Sequence, residues 1–162
     1  MLFRQIRCET YGHFRYLVWR KSIEEIMTIE ELMYYGRYYT FENEGYHLWW
    51  FDPQDSKVYK YEELLKEFGY RSQEEILYIK RFIPLFETDI VALEHEFLAI
   101  RGAKIKQLEH AVISDSDFDV EFKKFVEERD LTNAWHDFEY ERLYHDAVVW
   151  CKENQIKINR IS

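Results

Sequence analysis

Apolar and polar positions alternate at short range along the first half of the chain and recur at helical spacing along the second. The runs "LFRQIRC" (2–8) and "HFRYLVWR" (13–20) interleave apolar or aromatic residues with arginines on either side of "ETYG". That is the pattern of two strands in a hairpin. Ser22 and Glu25 stand at capping-box spacing, Ile23, Ile26, Ile29 and Met33 follow near the helical period, and Gly36 occupies a C-terminal cap position. A helix is predicted there, with a second capping pair, Thr28 and Glu31, marking a break. "RYYTFE", "YHLWWF" and "KVYKY" are then parted by "NEG" and "DPQDS", which predicts an antiparallel meander turning at Gly45 and Pro53. "EELLKEFG" is a short helix stopped by Gly69, and "ILYIKRFIP" is an extended piece closed by Pro84.

From Thr88 the period becomes helical. Ile90, Leu93, Phe97 and Ile100 form one stripe, Gly102 breaks it, and Ile105, Leu108 and Val112 form another. "SDSD" offers N-caps for a third helix bearing Phe118, Phe122 and Phe125, and Thr132 or Asn133 caps a fourth running to about Asn154. The expectation is an α+β fold: an N-terminal antiparallel sheet (hairpin plus meander, 1–85) and a C-terminal bundle of about four helices (86–156), in one domain over 1–162.

Composition narrows the class. Aromatics at 19% with only 5 Gly and 2 Pro describe a folded chain, and 162 residues can bury about two-thirds of the unfolded surface. Cys8 and Cys151 lie at opposite ends without metal or redox spacing, the first ten residues lack an apolar signal core, and no apolar run reaches the roughly 18 residues of a membrane span. A cytoplasmic protein with no membrane partner is expected. The net charge is -9, yet residues 1–21 hold Arg4, Arg7, Arg15, Arg20 and Lys21 against Glu9 alone. Acidity therefore belongs to the body of the domain, which argues against general nucleic-acid binding, whose affinity comes largely from phosphate neutralisation.

Phe122, Phe125, Trp135, Phe138, Ala147, Trp150 and Cys151, with "FKKF" (122–125), "WCKEN" (150–154) and Ile156, resemble the C-terminal signature of a bacterial family, uncharacterised protein family (UPF) 0158. "FDPQDSKVY" (51–59) is similar to that family's hairpin, and "YIKRFIPLF" followed by "EHEFL" to its central segment, so the resemblance spans about 46–156. It implies no activity. The family usually has Gly after "EN", where this chain has Gln155, so Asn154 is expected to take the left-handed cap. Before the paired phenylalanines the family is Gly- and Lys-rich; "SDSDFDVE" here carries four carboxylates, which argues against a phosphate-binding loop.

Candidate chemistry centres on "WHDFEYERLYHDAVVWC" (135–151). His136 and His145 are nine residues apart, which at about 100° per residue puts them on opposite sides of a helix. Asp137, Glu141 and His145 follow at i+4 and offer two oxygens and a nitrogen for a divalent ion, with His110 or Glu94 as further donors; the alternative is a solvated face. Trp135, Phe138, Leu143, Ala147, Val149 and Trp150 read as core, and Cys151 as a packed thiol. "HEFLA" (95–99) lacks the second His of a zinc helix, having Ala99 there, and "DSDFD" (115–119) lacks the Gly and the closing Glu of a calcium loop. Arg4, Arg15, Arg20, Lys21 and Trp19 in the basic hairpin suit contact with a single nucleic-acid strand, or an ordinary two-faced strand pair.

No complete catalytic constellation and no cofactor motif are present in the sequence. The reading is a non-enzymatic acidic interaction module whose expected partner is a protein with a basic surface; a homodimer is compatible with its strands. A metal-dependent hydrolase using Asp137, Glu141 and His145 is the first alternative, and single-strand contact through the hairpin the second.

Overall fold

The computed structural model describes residues 3–11, 14–21, 27–42, 45–108 and 113–157, with backbone alone for the first two segments. The fold is α+β. Strands β1 (Phe3–Tyr11) and β2 (Phe14–Lys21) pair antiparallel with an irregularity between Gln5 and Arg7, so the predicted hairpin is present. Its first strand runs through the "ETY" that sequence reading gave to the turn.

Helix α1 (Ile29–Gly36) begins at the second capping pair: the Thr28 hydroxyl accepts from Glu31 N at 3.2 Å while the Glu31 carboxylate accepts from Thr28 N at 2.9 Å. The Ser22–Glu25 pair lies outside the described residues. Gly36 does not cap by a left-handed turn. A Cβ there would come within 2.1 Å of the Phe86 ring, so the glycine permits a close approach.

The meander is corrected by the structure. β3 (Arg37–Tyr38) pairs parallel with β7 (Thr88–Asp89), and Thr40–Glu42 form a 3₁₀ turn. Only β4 (Trp49–Asp52) and β5 (Lys57–Lys60) form the expected hairpin, which β6 (Ile83–Pro84) extends in the order β5-β4-β6. Helix α2 (Tyr61–Glu67) ends before Gly69 at φ 74°, as expected. The run predicted as extended, "ILYIK", instead falls mostly in helix α3 (Gln73–Ile79), because Ser72 caps it by accepting from Glu75 N at 3.3 Å and Lys80 closes it in the left-handed region.

Helices α4 (Ile90–Ile100), α5 (Asp115–Glu128) and α6 (Thr132–Glu153) form the second half. The stripe at 105–112 is, among the described residues, only a 3₁₀ turn at Lys106–Leu108, so three long helices replace the four expected. Ser114 caps α5 by accepting from Asp117 N. At the start of α6 neither Thr132 nor Asn133 caps; Leu131 holds that place without a side-chain bond, its N–H donating back to Val126 O at 2.7 Å. At the far end Asn154 stays at φ -96° and Gln155 takes the left-handed conformation at φ 57°. Ile156 N donates to Cys151 O at 2.8 Å there, and Gln155 N to Lys152 O at 3.3 Å. The left-handed residue is thus Gln155, not the expected Asn154.

Three buried clusters meet along α6, the middle one made by Ile29 and Met33 of α1 against Leu143 and Ala147. Phe97, Phe122 and Trp135 pack edge to face between α4, α5 and the start of α6, while Phe51, Leu85, Trp150 and Cys151 join the three-stranded sheet to its end. Trp150 Nε1 donates to Pro84 O at 3.0 Å, which ties α6 to β6. The signature residues serve this packing: Phe122, Trp135, Ala147, Trp150 and Cys151 are buried, and Phe125 and Phe138 half-buried. Two expected core residues face solvent instead, Ile100 at 67% exposure and Val149 at 38%.

Candidate functional site

The chemistry that the structure gathers lies on the inner side of α6. Glu94 occupies a position in the buried stripe of α4, between Ile90 and Phe97, and Ile100, not Glu94, is the residue turned outward. Glu139 stands between Trp135 and Leu143 at i+4 on α6, and Asp119 lies next to Phe118 on α5. All three acids are buried, Glu94 and Glu139 to 1% exposure. Arg37 reaches them from β3, and the parallel pairing of Arg37 with Thr88 sets it beside the entry to α4. Gly36 contributes by letting the end of α1 close against Phe86.

These side chains line a cavity of about 430 Å³, whose wall includes Arg37, Tyr39, Glu94, Lys123, Trp135 and Glu139. Its cations have partners. Arg37 Nη1 lies 2.6 Å from Glu139 Oε1, and Lys123 Nζ donates to Asp119 Oδ2 at 2.7 Å. Burial weakens the Arg37 charge most, but the Glu139 carboxylate and Tyr39 together more than offset it and hold the guanidinium above its ordinary value. Burial likewise opposes the charge of Lys123 most, and its bond to Asp119 with the nearby Tyr39 and Glu94 raises it overall. Glu94 has no such cation: no N–H or cationic donor meets its buried oxygens, and its side-chain bond is to the Asp119 carboxyl. Burial, reinforced by the nearby Asp119 carboxyl, pushes its carboxyl up to about 9, so it holds its proton at neutral pH. A neutral acid thus stands near two acids that have salt-bridge partners, an arrangement able to donate a proton or, once Glu94 is ionised, to bind a cation.

The residues singled out from sequence fall elsewhere. Asp137, Glu141 and His145 share one face of α6 as expected, and that face is exposed. Among the described residues no group of three His, Cys, Asp or Glu side chains is gathered closely enough to hold a metal ion. His136 and His145 do face apart: His136 lines the cavity, with Nδ1 3.8 Å from Glu139 Oε2, while His145 is exposed. Cys151 is a packed thiol that burial pushes up to about 11. His95 stacks on Phe118 at 3.8 Å between ring centres. His110 and the side chains of Arg4, Arg15, Trp19, Arg20 and Lys21 lie outside the described residues. No helix among the described residues is long and apolar enough to cross a membrane.

The sequence pattern offers Glu94 only as an auxiliary metal donor and Asp119 only within the rejected calcium loop, and it singles out neither Glu139 nor Arg37. The available signal was an acid at an apolar-stripe position: Ile90, Glu94 and Phe97 on α4, and Trp135, Glu139 and Leu143 on α6. No family model, no curated protein and no solved structure matches the chain.

Proposed function

We propose that the chain is a binding protein whose site is the cavity between β3, α4, α5 and α6, and that it takes a compact polar molecule. The observation that carries this reading is Glu94: fully buried, met by no N–H or cationic donor, and set in the wall of a 430 Å³ space. A buried polar atom left unsatisfied costs about 1–3 kcal/mol, a cost that a ligand able to pair with it removes. Concave sites with a few convergent polar groups on an aromatic lining are the usual form of small-molecule pockets. A melting-temperature screen against sugars, amino acids, nucleosides, carboxylates and amines tests the reading. One class should stabilise the protein, and a Thr132→Tyr substitution in the cavity wall should abolish that shift; no shift with any class counts against the site.

A second reading keeps the expected protein partner. It is supported by the net charge of -9 and by the exposed acids Asp137 and Glu141, which would steer a basic surface onto α6. Capture of a basic protein from the native host should then weaken steeply as salt is raised, and replacing both acids by Lys should abolish it. Kinship with UPF 0158 belongs to this proposal on the residues quoted above, and it adds no activity to either reading.

A further inference from the structure

We infer that the cavity is selective for a small organic cation, a primary ammonium or a guanidinium, whose charged head docks against Glu94. The inference rests on the cavity being a binding site and names the ligand class it takes.

The partners of Glu94 decide the sign of the ligand. From α5 it is faced by Asp119 and Lys123, with Glu127 farther along the wall; from α6 by Glu139 and His136; and from the β3 segment by Arg37 and Tyr39. Lys123 is bonded to Asp119 at 2.7 Å and Arg37 to Glu139 at 2.6 Å, so the two cations neutralise the two acids beside them. An anionic ligand would have to break one of those pairs and leave a carboxylate buried and uncompensated, which is strongly unfavourable. A cation meets the opposite situation, because Glu94 has no salt-bridge partner to give up and a cation replaces the proton that it shares with Asp119. Aromatic faces suit the same charge: Lys123 already lies 5.7 Å from the centre of the Tyr39 ring, and Trp135 forms part of the same wall.

Docking is written as a balanced exchange. The neutral carboxyl of Glu94 loses its proton to solvent, and with it the hydrogen bond to Asp119, and the carboxylate formed pairs with the ammonium or guanidinium. One proton is therefore released for each cation bound. Below the pH at which Glu94 ionises unaided, affinity rises about tenfold per pH unit.

Calorimetric titration of the intact protein with butylammonium and with methylguanidinium, in two buffers of different ionisation heat, reads this directly. Butanol and butyrate serve as neutral and anionic controls of similar size. The expected result is binding of the cations alone, release of about one proton per ligand, and affinity that climbs from pH 6 to pH 8. Glu94→Gln should lower cation affinity at pH 8 by more than tenfold and abolish the proton release. The wild-type measurement stands alone if that variant does not fold. Cation binding without proton release overturns the role of Glu94. Binding of butyrate or butanol but not of the cations overturns the inference while leaving a polar-ligand site in place. Failure of all four probes, together with a blank melting screen, removes both.

Discussion

The two sides of α6 carry similar residues with opposite fates. Asp137, Glu141 and His145 run along one side at i+4 and meet solvent; Trp135, Glu139 and Leu143 run along the other at the same spacing and are buried. On the outer side a carboxylate keeps its water and costs little. On the inner side Glu139 needs Arg37 at 2.6 Å to be tolerated. The contrast teaches that a row of ligand-type side chains is weak grounds for a site, whereas one acid interrupting an apolar row is strong grounds, because the fold must compensate for it.

The largest test of that contrast is Glu139→Ala against Glu141→Ala. Loss of Glu139 strands the mostly buried Arg37 charge and should destabilise by about 3 kcal/mol in urea titration, close to the cost of Leu143→Ala on the same side. Glu141→Ala should stay within about 0.5 kcal/mol. Equal effects at 139 and 141 would dissolve the distinction between the sides.

Glu94 sharpens the comparison through pH. Its folded carboxyl is raised to about 9 from an ordinary 4.5, chiefly by burial, so between those values the native state holds a proton that the unfolded chain has released. Stability from this group is complete below the ordinary value and is lost as pH rises through about 9. Glu94→Gln should therefore raise the melting temperature at pH 8 by a few degrees and flatten its decline toward pH 9. An unchanged slope would mean that Glu94 is ionised in the fold.

Chemical reactivity distinguishes the sides next. Cys151 is buried, with its thiol pushed up to about 11, so iodoacetamide at pH 8 should label it at least tenfold more slowly in the folded protein than in urea. The smallest effect belongs to the outer row: His145→Gln should change stability by less than about 0.5 kcal/mol, and Mn²⁺ or Zn²⁺ should leave the melting temperature where it was. A metal-dependent rise that His145→Gln abolishes would restore the outer row as a site.

The fold was legible where local chemistry decides it. The Thr28–Glu31 capping box, the left-handed glycines at 69 and 102 and the Ser114 cap are all visible in a few adjacent residues, and all are present. Reading failed where distant partners decide. The "RYY" segment has strand composition, but its partner is β7, some fifty residues away and parallel, which no turn signal encodes. "ILYIK" is the exception, where a local signal was outweighed by composition: it is β-branched and aromatic, yet the Ser72 cap and a left-handed Lys80 enclose it as a helix. The site was half-legible for the same reason: the positions of Glu94 and Glu139 in apolar stripes can be read, whereas Arg37 as counter-ion depends on Gly36 closing against Phe86.

The wide sequence separation of the cavity's walls has a kinetic meaning. The β4–β5 hairpin closes over a few residues, but the cavity needs residues 37, 94, 123 and 139 together, and such long loops close slowly. Ligand competence should therefore be among the last properties to return on refolding. On the ribosome it cannot exist until α6 has emerged, so a bound ligand would mark only chains made at least as far as that helix.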